Sequence, residues 1–462
     1  MTTATATATE VRTRVDHLNR LDIASLIHPY TSVPVHESRG PMIIERAKGV
    51  WAYTHDGRDL LEGMAGLWSA ALGFADEDLI DTATTQLRRL SSYHLAAHKS
   101  NEPAILLAAK LLSVSPFPAS KVFLCNSGSE ANDTQIKLLW HMSNARGETR
   151  RKKIISRWGV YHGATIGAGS LIGIPAVHRH FDLPLQPFLF TECPDARRFR
   201  AEGETDREYV ARLAASLEQL IVDQDPDTVA GFIAEPIMGA GGVIIPPEGY
   251  FPAVQEVLRR YGIRLIDDEV ITGIGRTGPL WAADVFGMKP TALTCGKSLS
   301  SGYLPIAAVL IDEEMYSVLR EQGVANGPFA HGFTFGGHPV AAAVALRTLE
   351  LIEERRVLDH VAKVAPLFKE HLLRFRSHPK IRDVRCLGLL GAIEFGSADG
   401  QAANGPSSSG TLGHQCVAAA ERHGLILRAL GNVVVFCPPL IITGEELDEL
   451  FRRFTRALDD LS

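Results

Sequence analysis

The sequence predicts an α/β protein with a largely parallel sheet, and the alternation of two patterns carries this prediction. Short apolar and β-branched runs alternate along the middle of the chain with segments in which apolar residues recur at helical spacing. The 462 residues are 45% hydrophobic and 22% charged, which is enough to bury a large core divided into about two or three domains. The predicted strands cover 122–124, 153–155, 229–233, 263–266 and 307–311.

The two ends of the chain have different patterns from the middle. A predicted amphipathic helix over 341–352 is followed by mixed strands and helices that end in a helix over 445–461, which indicates a smaller C-terminal domain. The first residues alternate Thr and Ala and have neither a basic region nor an apolar segment, so they predict a disordered tail and not a signal peptide. The Ser-, Gly- and Ala-rich stretch 397–410 predicts a surface loop.

Composition and charge exclude several classes of function. A formal net charge of -6 gives no electrostatic basis for binding nucleic acid or an anionic membrane, and the basic run at 150–153 is interpreted as a solvated surface segment. The longest clean apolar stretch, 304–311, is too short to cross a bilayer. The six cysteines lack both paired and zinc-like spacing, so reduced thiols, a cytoplasmic location and no metal site are expected.

A Gly/Ser turn at 126–129 follows the strand-like residues 122–125 and opens a helix-period segment. Such a turn directs free backbone N–H groups and the hydroxyls of Ser127 and Ser129 at one point, at the positive end of the helix dipole. The turn therefore suits a phosphate group, although an ordinary helix N-cap explains the same residues equally well.

Three acids, Asp267, Asp268 and Glu269, directly follow the strand-like run 263–266. Because an unpartnered buried carboxylate is costly, at least one of them is expected to meet a cation or a proton of a ligand. The glycines at 273, 275 and 278 spell a dinucleotide-binding pattern, but the required following helix and acid are missing.

Lys297 is the strongest single candidate for catalysis, because the acidic and Gly/Ser motifs upstream are spaced as partners of one reactive amine. Its neighbours Gly296 and Ser298 resemble the end of a nucleotide-binding P-loop, yet Thr291 stands where that motif requires glycine. A nucleoside triphosphatase is therefore not predicted.

Together these segments resemble the class III aminotransferases, enzymes of fold type I that carry pyridoxal 5'-phosphate (PLP), and the resemblance covers nearly the whole chain. It implies a large domain with a mostly parallel seven-stranded sheet and a smaller α+β domain built from both chain ends. The implied divisions are a disordered tail (1–15), the N-terminal part of the small domain (16–79), the PLP-binding domain (80–345) and the C-terminal part of the small domain (346–462).

The resemblance also implies the cofactor site. PLP is expected as a Schiff base on Lys297, which then serves as the proton-transferring base, and Asp268 is expected to keep the pyridine nitrogen protonated. Tyr161 and Val270 would cover the faces of the ring, and Thr334 of a neighbouring subunit would contact the phosphate. For Glu235, a structural salt bridge is an open alternative. The implied cofactor contacts are Ser127, Gly128, Ser129, Tyr161, His162, Glu235, Asp268, Val270, Lys297, Phe333 and Thr334.

Further positions are similar to the amine:pyruvate or ω-aminotransferase branch of the family. Tyr30, Trp68 and Tyr161 fall on its substrate pocket, although Tyr30 or Trp68 could instead belong to the core. Arg428 matches an arginine that binds the carboxylate of the keto acid and swings away for an uncharged donor, and a surface arginine is the alternative. Where relatives often place aromatic residues, this chain has Ala96 and Ala97, which suggests a roomier pocket.

The sequence therefore predicts a cytoplasmic transaminase, at least a homodimer and with tetramers left open. It would move an amino group from an amine or ω-amino acid to a keto acid, with pyruvate expected, by a PLP ping-pong cycle. The alternatives are a β-alanine or 4-aminobutyrate:2-oxoglutarate aminotransferase, a same-fold aminomutase or epimerase, and a non-catalytic PLP-binding regulator. Neither nucleic acid nor a membrane is an expected partner.

Overall fold

The structure, a computed structural model, describes residues 8–396 and 410–461. Its strands are β1 (Ile44–Lys48), β2 (Trp51–Thr54), β3 (Asp59–Glu62), β4 (Ala119–Cys125), β5 (Lys153–Arg157), β6 (Phe188–Thr191), β7 (Val229–Ala234), β8 (Arg264–Asp268), β9 (Ala292–Cys295), β10 (Ala307–Asp312), β11 (Ile381–Leu387), β12 (Leu390–Phe395), β13 (Leu425–Ile426), β14 (Arg428–Leu430) and β15 (Val433–Phe436).

Helices surround these strands, and short 3₁₀ turns cover Pro226–Thr228, Lys297–Ser300 and Arg374–Ser377. The α-helices are α1 (Ala8–Ser25), α2 (Val33–Arg39), α3 (Ala65–Trp68), α4 (Glu77–Arg89), α5 (Glu102–Ser113), α6 (Gly128–Ala145), α7 (Ile166–Ser170), α8 (Pro175–His178), α9 (Ala196–Phe199), α10 (Asp206–Asp223), α11 (Tyr250–Arg260), α12 (Ala283–Phe286), α13 (Glu313–Asn326), α14 (Pro339–Glu354), α15 (Val357–Leu373), α16 (Leu412–Arg422) and α17 (Gly444–Asp459).

The central sheet has seven strands in the order β4-β10-β9-β8-β7-β5-β6. Strand β10 runs antiparallel to both of its neighbours, and the pairs from β9 to β6 are all parallel, so the predicted mostly parallel seven-stranded sheet is confirmed. Helices cover both faces and bury the apolar side chains of the strands, as a parallel sheet requires. No described helix is long and apolar enough to cross a membrane.

Two of the seven strands, β6 and β9, were not predicted from the sequence. Each has four residues, and so short an apolar run does not distinguish a strand from a buried turn of helix. Strand β9 nevertheless lies between β8 and β10, where both of its edges are hydrogen-bonded. Its conformation is decided by these neighbours and not by its own residues.

Two four-stranded sheets lie outside the central one, with strand orders β1-β2-β3-β13 and β11-β12-β15-β14. The two-residue strand β13 pairs in parallel with β3, which joins the two ends of the chain in one sheet. The prediction of a disordered tail over 1–15 is wrong for residues 8–15, because α1 begins at Ala8. Residues 1–7 and, apart from Gly410, the predicted loop 397–410 lie outside the described residues.

The sheet brings the predicted motifs to one edge. Strands β4, β5, β7, β8 and β9 run in the same direction, so their carboxyl ends lie side by side. The residues that follow these ends include Ser127, Tyr161, Glu235 and Lys297, and Asp268 is itself the last residue of β8. In open parallel sheets this edge is where ligands bind.

Candidate active site

A cleft of about 380 Å³ opens at the carboxyl edge of the central sheet. Its wall combines a Gly/Ser turn, two acidic side chains, an aromatic ring and one lysine. The lining residues are Ser69, Asn126, Ser127, Gly128, Ser129, Tyr161, His162, Gly163, Glu235, Asp268, Val270, Ile271, Lys297, Gly302, Leu304, Pro305 and Ile306. The structure thus brings together nine residues for which a cofactor contact was predicted, from Ser127 to Lys297.

Asp268 is buried and held by three hydrogen bonds. Its Oδ2 accepts from His162 Nδ1 at 2.7 Å and from Asn132 Nδ2 at 2.8 Å, and its Oδ1 accepts from the Val270 backbone N–H at 3.1 Å. An ionised carboxylate can accept about four hydrogen bonds, so Oδ1 keeps a free acceptor position. The carboxylate is fixed in orientation and can still accept a proton-bearing group of a ligand.

Lys297 begins the 3₁₀ turn Lys297–Ser300 directly after β9, with a left-handed backbone φ of 42°. Its side chain is partly buried and lines the cleft. Burial lowers the pKa of the ammonium group, and the charge of Arg428 acts in the same direction, whereas the carboxylates of Asp268 and Glu235 oppose the shift. A lysine with a lowered pKa supplies a neutral, nucleophilic amine more readily than a solvated one.

Glu235 follows β7 at the base of the cleft and is also buried. Its carboxylate accepts backbone N–H groups of Tyr161 and Gly239, each at 3.2 Å. Burial raises its pKa to about 8, and the nearby Asp268 carboxylate adds to the shift. Among the described residues Glu235 forms no ion pair, so the salt-bridge alternative is wrong; Arg157 donates to its main-chain oxygen instead.

The Gly/Ser turn caps the N-terminus of α6 and also presents hydroxyl groups that can donate to an anion. Ser127 Oγ accepts from the Glu130 N–H at 3.2 Å as the N-cap of α6, and Ser129 Oγ accepts from the Ala164 N–H at 3.0 Å. Since each hydroxyl accepts, its own proton remains free to be donated. A side chain at Gly128 would place its Cβ 2.9 Å from Val270 Cγ1, so only glycine lets the turn approach Val270.

Tyr30, Trp68 and Arg428 are not among the lining residues of the cleft; they form a group beside Tyr161, which lines its mouth. The hydroxyls of Tyr30 and Tyr161 lie 2.8 Å apart, and the Arg428 guanidinium carbon lies 5.0 Å from the Trp68 ring centre and 6.0 Å from that of Tyr30. Tyr30 is exposed, which excludes the core for it, whereas Trp68 is buried beneath the arginine. Burial lowers the pKa of Arg428, and no carboxylate of the described residues pairs with it. This cation is positioned to receive an anionic ligand.

Phe333 and Thr334 do not reach the cleft of their own chain. They line a separate groove together with His94, Ala96 and Phe123, and this groove shares no lining residue with the cleft around Lys297. Thr334 is exposed there. A contact between Thr334 and the cofactor therefore requires a second copy of the chain.

Asn132 was missed as a site residue, although it lies in α6, the helix that the Gly/Ser turn opens. Its amide bridges Asp268 Oδ2 and the main-chain oxygen of His162, the latter at 2.7 Å. Helix spacing offered a signal, because position 132 lies one turn after Gly128 and therefore on the same side of α6. The other two consecutive acids do not line the cleft: Glu269, directly after β8, accepts from the Ala283 N–H at 2.7 Å, and Asp267, buried within β8, has no hydrogen-bond partner among the described residues.

Comparison with known proteins is consistent with this geometry. Residues 32–458 match the family model described as "Aminotransferase class-III". The chain is 42% identical over 437 residues to a probable gamma-aminobutyrate transaminase 3, mitochondrial, of Oryza sativa subsp. indica, covering 94% of this chain and 85% of the relative. It is 42% identical over 428 residues to vanillin aminotransferase of Capsicum frutescens, covering 91% and 92%.

Among solved structures, the omega transaminase of Pseudomonas jessenii in complex with PMP superposes with a TM-score of 0.93 at 46% sequence identity. The match covers 96% of this chain and 98% of that chain.

Proposed function

This chain belongs to the class III aminotransferases and is a PLP-dependent aminotransferase, and from that premise we propose that it moves the amino group of amines without an α-carboxylate to pyruvate. The observation that carries the proposal is the unpaired Arg428 beside the mouth of a cleft whose base holds Lys297 and Asp268. The guanidinium of Arg428 lies against the rings of Trp68 and Tyr30, so it can bind the carboxylate of a substrate in surroundings that are otherwise aromatic.

The residues of the cleft fit PLP. The free acceptor position on Asp268 Oδ1 suits a protonated ring nitrogen, and the hydroxyl protons of Ser127 and Ser129 suit a phosphate at the N-terminus of α6. The close approach of Gly128 to Val270 leaves a narrow slot that a side chain at position 128 would fill. Tyr161 and Val270, both on the wall of the cleft, would contact the ring.

When bound, PLP supplies an electron sink and holds the amino group between the two half-reactions. Lys297 would carry the proton between the reacting carbons, and burial, which lowers the pKa of its ammonium group, favours the neutral amine that this role needs. Asp268 would orient the ring and keep its nitrogen protonated, and His162 and Asn132 hold Asp268 in place. Glu235 fixes the backbone of Tyr161 and thereby the aromatic wall.

Two substrates with different charges must use one cleft in turn. We propose that Arg428 binds the carboxylate of pyruvate and leaves the entrance to Tyr30, Trp68 and Tyr161 when a neutral amine enters. No described carboxylate competes for the guanidinium, which supports this dual role. The relative named vanillin aminotransferase supports an aromatic, uncharged partner substrate.

A second candidate is transfer from 4-aminobutyrate or β-alanine to 2-oxoglutarate. It is favoured by the relative named as a probable gamma-aminobutyrate transaminase. A ω-amino acid carries its own carboxylate, which Arg428 could bind in the donor half-reaction. In the first candidate Arg428 moves away when the amine donor enters, whereas in the second it binds the donor's carboxylate.

Arg428→Ala is expected to lower kcat/KM for pyruvate by about 10–100-fold, because one charge-assisted contact with a carboxylate contributes about 1.5–3 kcal/mol. The value for an arylalkylamine donor is expected to stay within about threefold, since no charged contact is lost. The measurement is a panel of donors and acceptors with each half-reaction followed by the cofactor absorbance.

Arg428→Lys is the matched control, because it keeps the charge but not the planar fork, and it should lie between wild type and Arg428→Ala. The second candidate would be favoured if Arg428→Ala lowered kcat/KM equally for pyruvate and for 4-aminobutyrate, and if wild type used 2-oxoglutarate better than pyruvate. Unchanged pyruvate kinetics in Arg428→Ala would refute the proposed role of the arginine.

We propose that the enzyme is a homodimer with shared sites. The separation of the Thr334 groove from the cleft supports this, as does the exposure of apolar side chains such as Phe335 and Ile105. Ala96 lines the same groove, so the roomier-pocket hypothesis for Ala96 and Ala97 stays a prediction that depends on the dimer.

Thr334→Ala is expected to weaken PLP retention by about 5–10-fold without changing the oligomeric state, since one neutral hydrogen bond contributes about 1 kcal/mol. Equilibrium dialysis measures the affinity for PLP, and light scattering of the protein as it elutes from a size-exclusion column measures the oligomeric state. Thr31→Ala, which removes an exposed hydroxyl that bonds only to the Pro29 main-chain oxygen, is the control. A monomeric protein that retains PLP normally would contradict the shared site.

A cytoplasmic location remains a proposal of its own. It is supported by the six unpaired cysteines, five of which are buried. The rice relative is named as a mitochondrial protein.

A further inference from the structure

Three side chains from three consecutive elements converge near the N-terminus, away from the cleft. Asp22 lies in α1, His28 lies in the connection after it, and His36 lies in α2. His28 Nε2 lies 3.0 Å from both oxygens of Asp22, and His36 Nε2 lies 2.8 Å from Asp22 Oδ1. We call these three residues the N-terminal cluster. Its potential ligand atoms all lie within 4.8 Å of one another.

The two imidazole rings are close to each other as well as to the carboxylate. Their centres are 4.1 Å apart with planes tilted by 36°, and both direct Nε2 toward the same oxygen. The side chains are only 32%, 15% and 13% exposed for His28, Asp22 and His36.

We propose that the N-terminal cluster binds a divalent transition-metal ion, with Zn²⁺ as the probe. Two imidazole nitrogens and one carboxylate oxygen are donors that Zn²⁺ prefers, and they leave a fourth position for water. Tetrahedral bonds of about 2.0–2.1 Å place donor atoms about 3.3 Å apart. The distances of 3.0 Å and 2.8 Å from Asp22 Oδ1 to the two Nε2 atoms require an expansion of only a few tenths of an ångström, and the ligand atoms of the two histidines lie within 4.8 Å of each other.

Direct hydrogen bonds from two imidazoles to one carboxylate also account for this geometry, and two features make the cluster suitable for a metal ion. Both histidines use the same nitrogen toward one oxygen, so a single ion between them would bind all three groups at once. No lysine or arginine of the described residues pairs with Asp22, so no side-chain cation competes for the carboxylate.

A bound ion would join α1, α2 and their connection into one unit. That connection includes Tyr30, whose hydroxyl lies 2.8 Å from that of Tyr161 at the mouth of the cleft. Metal binding would therefore fix a segment that otherwise contacts the rest of the site through an exposed tyrosine. The metal site itself does not depend on the proposed substrates.

The test is a titration of tag-free holoenzyme with Zn²⁺ by isothermal calorimetry, with metal content measured after dialysis. Wild type is expected to bind one more Zn²⁺ per subunit than the variant His28→Ala/His36→Ala. Asp22→Asn keeps the side-chain shape, and it should weaken binding by about tenfold or more, as removal of a direct ligand costs at least as much as loss of a supporting contact. X-ray absorption at the zinc edge should show two imidazole ligands.

His17→Ala is the matched control, because His17 is an exposed histidine of α1 outside the cluster. It should bind Zn²⁺ like wild type. Since PLP is present in every variant, any zinc that PLP holds contributes equally to all of them and cancels in the comparison. Equal zinc content in wild type and the double variant would overturn the proposal. An equal loss of Zn²⁺ affinity in His17→Ala and in Asp22→Asn would also overturn it.

Discussion

Lys297→Ala is expected to lower kcat/KM by at least about 10⁴-fold for every donor, because the variant loses both the nucleophilic amine and the proton-transfer group. The residue is positioned for both tasks: it follows β9, projects into the cleft, and has a pKa that burial lowers. Both half-reactions should fail together. Initial rates with a single donor and with a single acceptor, each followed by the cofactor absorbance, measure the loss.

Lys289→Ala is the control for this experiment, since Lys289 is an exposed lysine in the loop before β9. It should retain wild-type kinetics. Activity of Lys297→Ala within about tenfold of wild type would contradict the assigned role, because one lost proton-transfer group costs about 10²-fold or more. The variant should still bind PLP reversibly through the other cleft residues, which dialysis and absorbance would reveal.

Asp268→Asn is expected to lower kcat by about 10²–10³-fold, comparable to the loss of one preorganised electrostatic contact in an enclosed site. An amide carries no charge and cannot keep a ring nitrogen protonated. If its oxygen still accepts from His162 and Asn132, its NH₂ group faces the Val270 N–H, so one hydrogen bond becomes a donor–donor contact. PLP affinity should therefore fall as well.

Asp267→Asn is the matched control, since this carboxyl is the neighbouring residue on the same strand but does not line the cleft. Burial raises the pKa of Asp267, and the charges of Glu269 and Asp268 add to the shift. Because burial favours the protonated form of this carboxyl, which has no hydrogen-bond partner among the described residues and lies outside the cleft, replacing it by an amide should leave kcat near wild type. A large loss in Asp267→Asn and none in Asp268→Asn would reverse the assignment.

Much of the cleft could be predicted because its residues occur in short local motifs. The turn at 126–129, the acids at the end of β8 and the lysine after β9 each lie in a short stretch of sequence, and carboxyl ends of parallel strands meet at one edge. The family resemblance added what no local pattern shows, namely the cofactor and the roles of Tyr161, Glu235 and Arg428. Tyr161 and Glu235 line the cleft and Arg428 lies over Trp68, and the roles of these three residues stay predictions.

The errors of prediction have physical causes. The disordered tail was predicted too long, because alternating Thr and Ala gave no helical signal and α1 begins within that stretch at Ala8. Strands β6 and β9 are too short to be recognised from their own residues and depend on hydrogen bonds from their neighbours. The salt bridge considered for Glu235 was wrong, because backbone N–H groups satisfy that carboxylate.

The sequence by itself determined which chemical groups are present and that they follow strands of an α/β sheet, because motif spacing and apolar periodicity are local properties. Only the tertiary structure decided which of three consecutive acids enters the cleft, because side chains on a strand alternate between its faces. It also decided that Asn132 holds Asp268, 136 residues away, and that Thr334 lies in a separate groove. Such contacts depend on how distant segments pack, which no local pattern records.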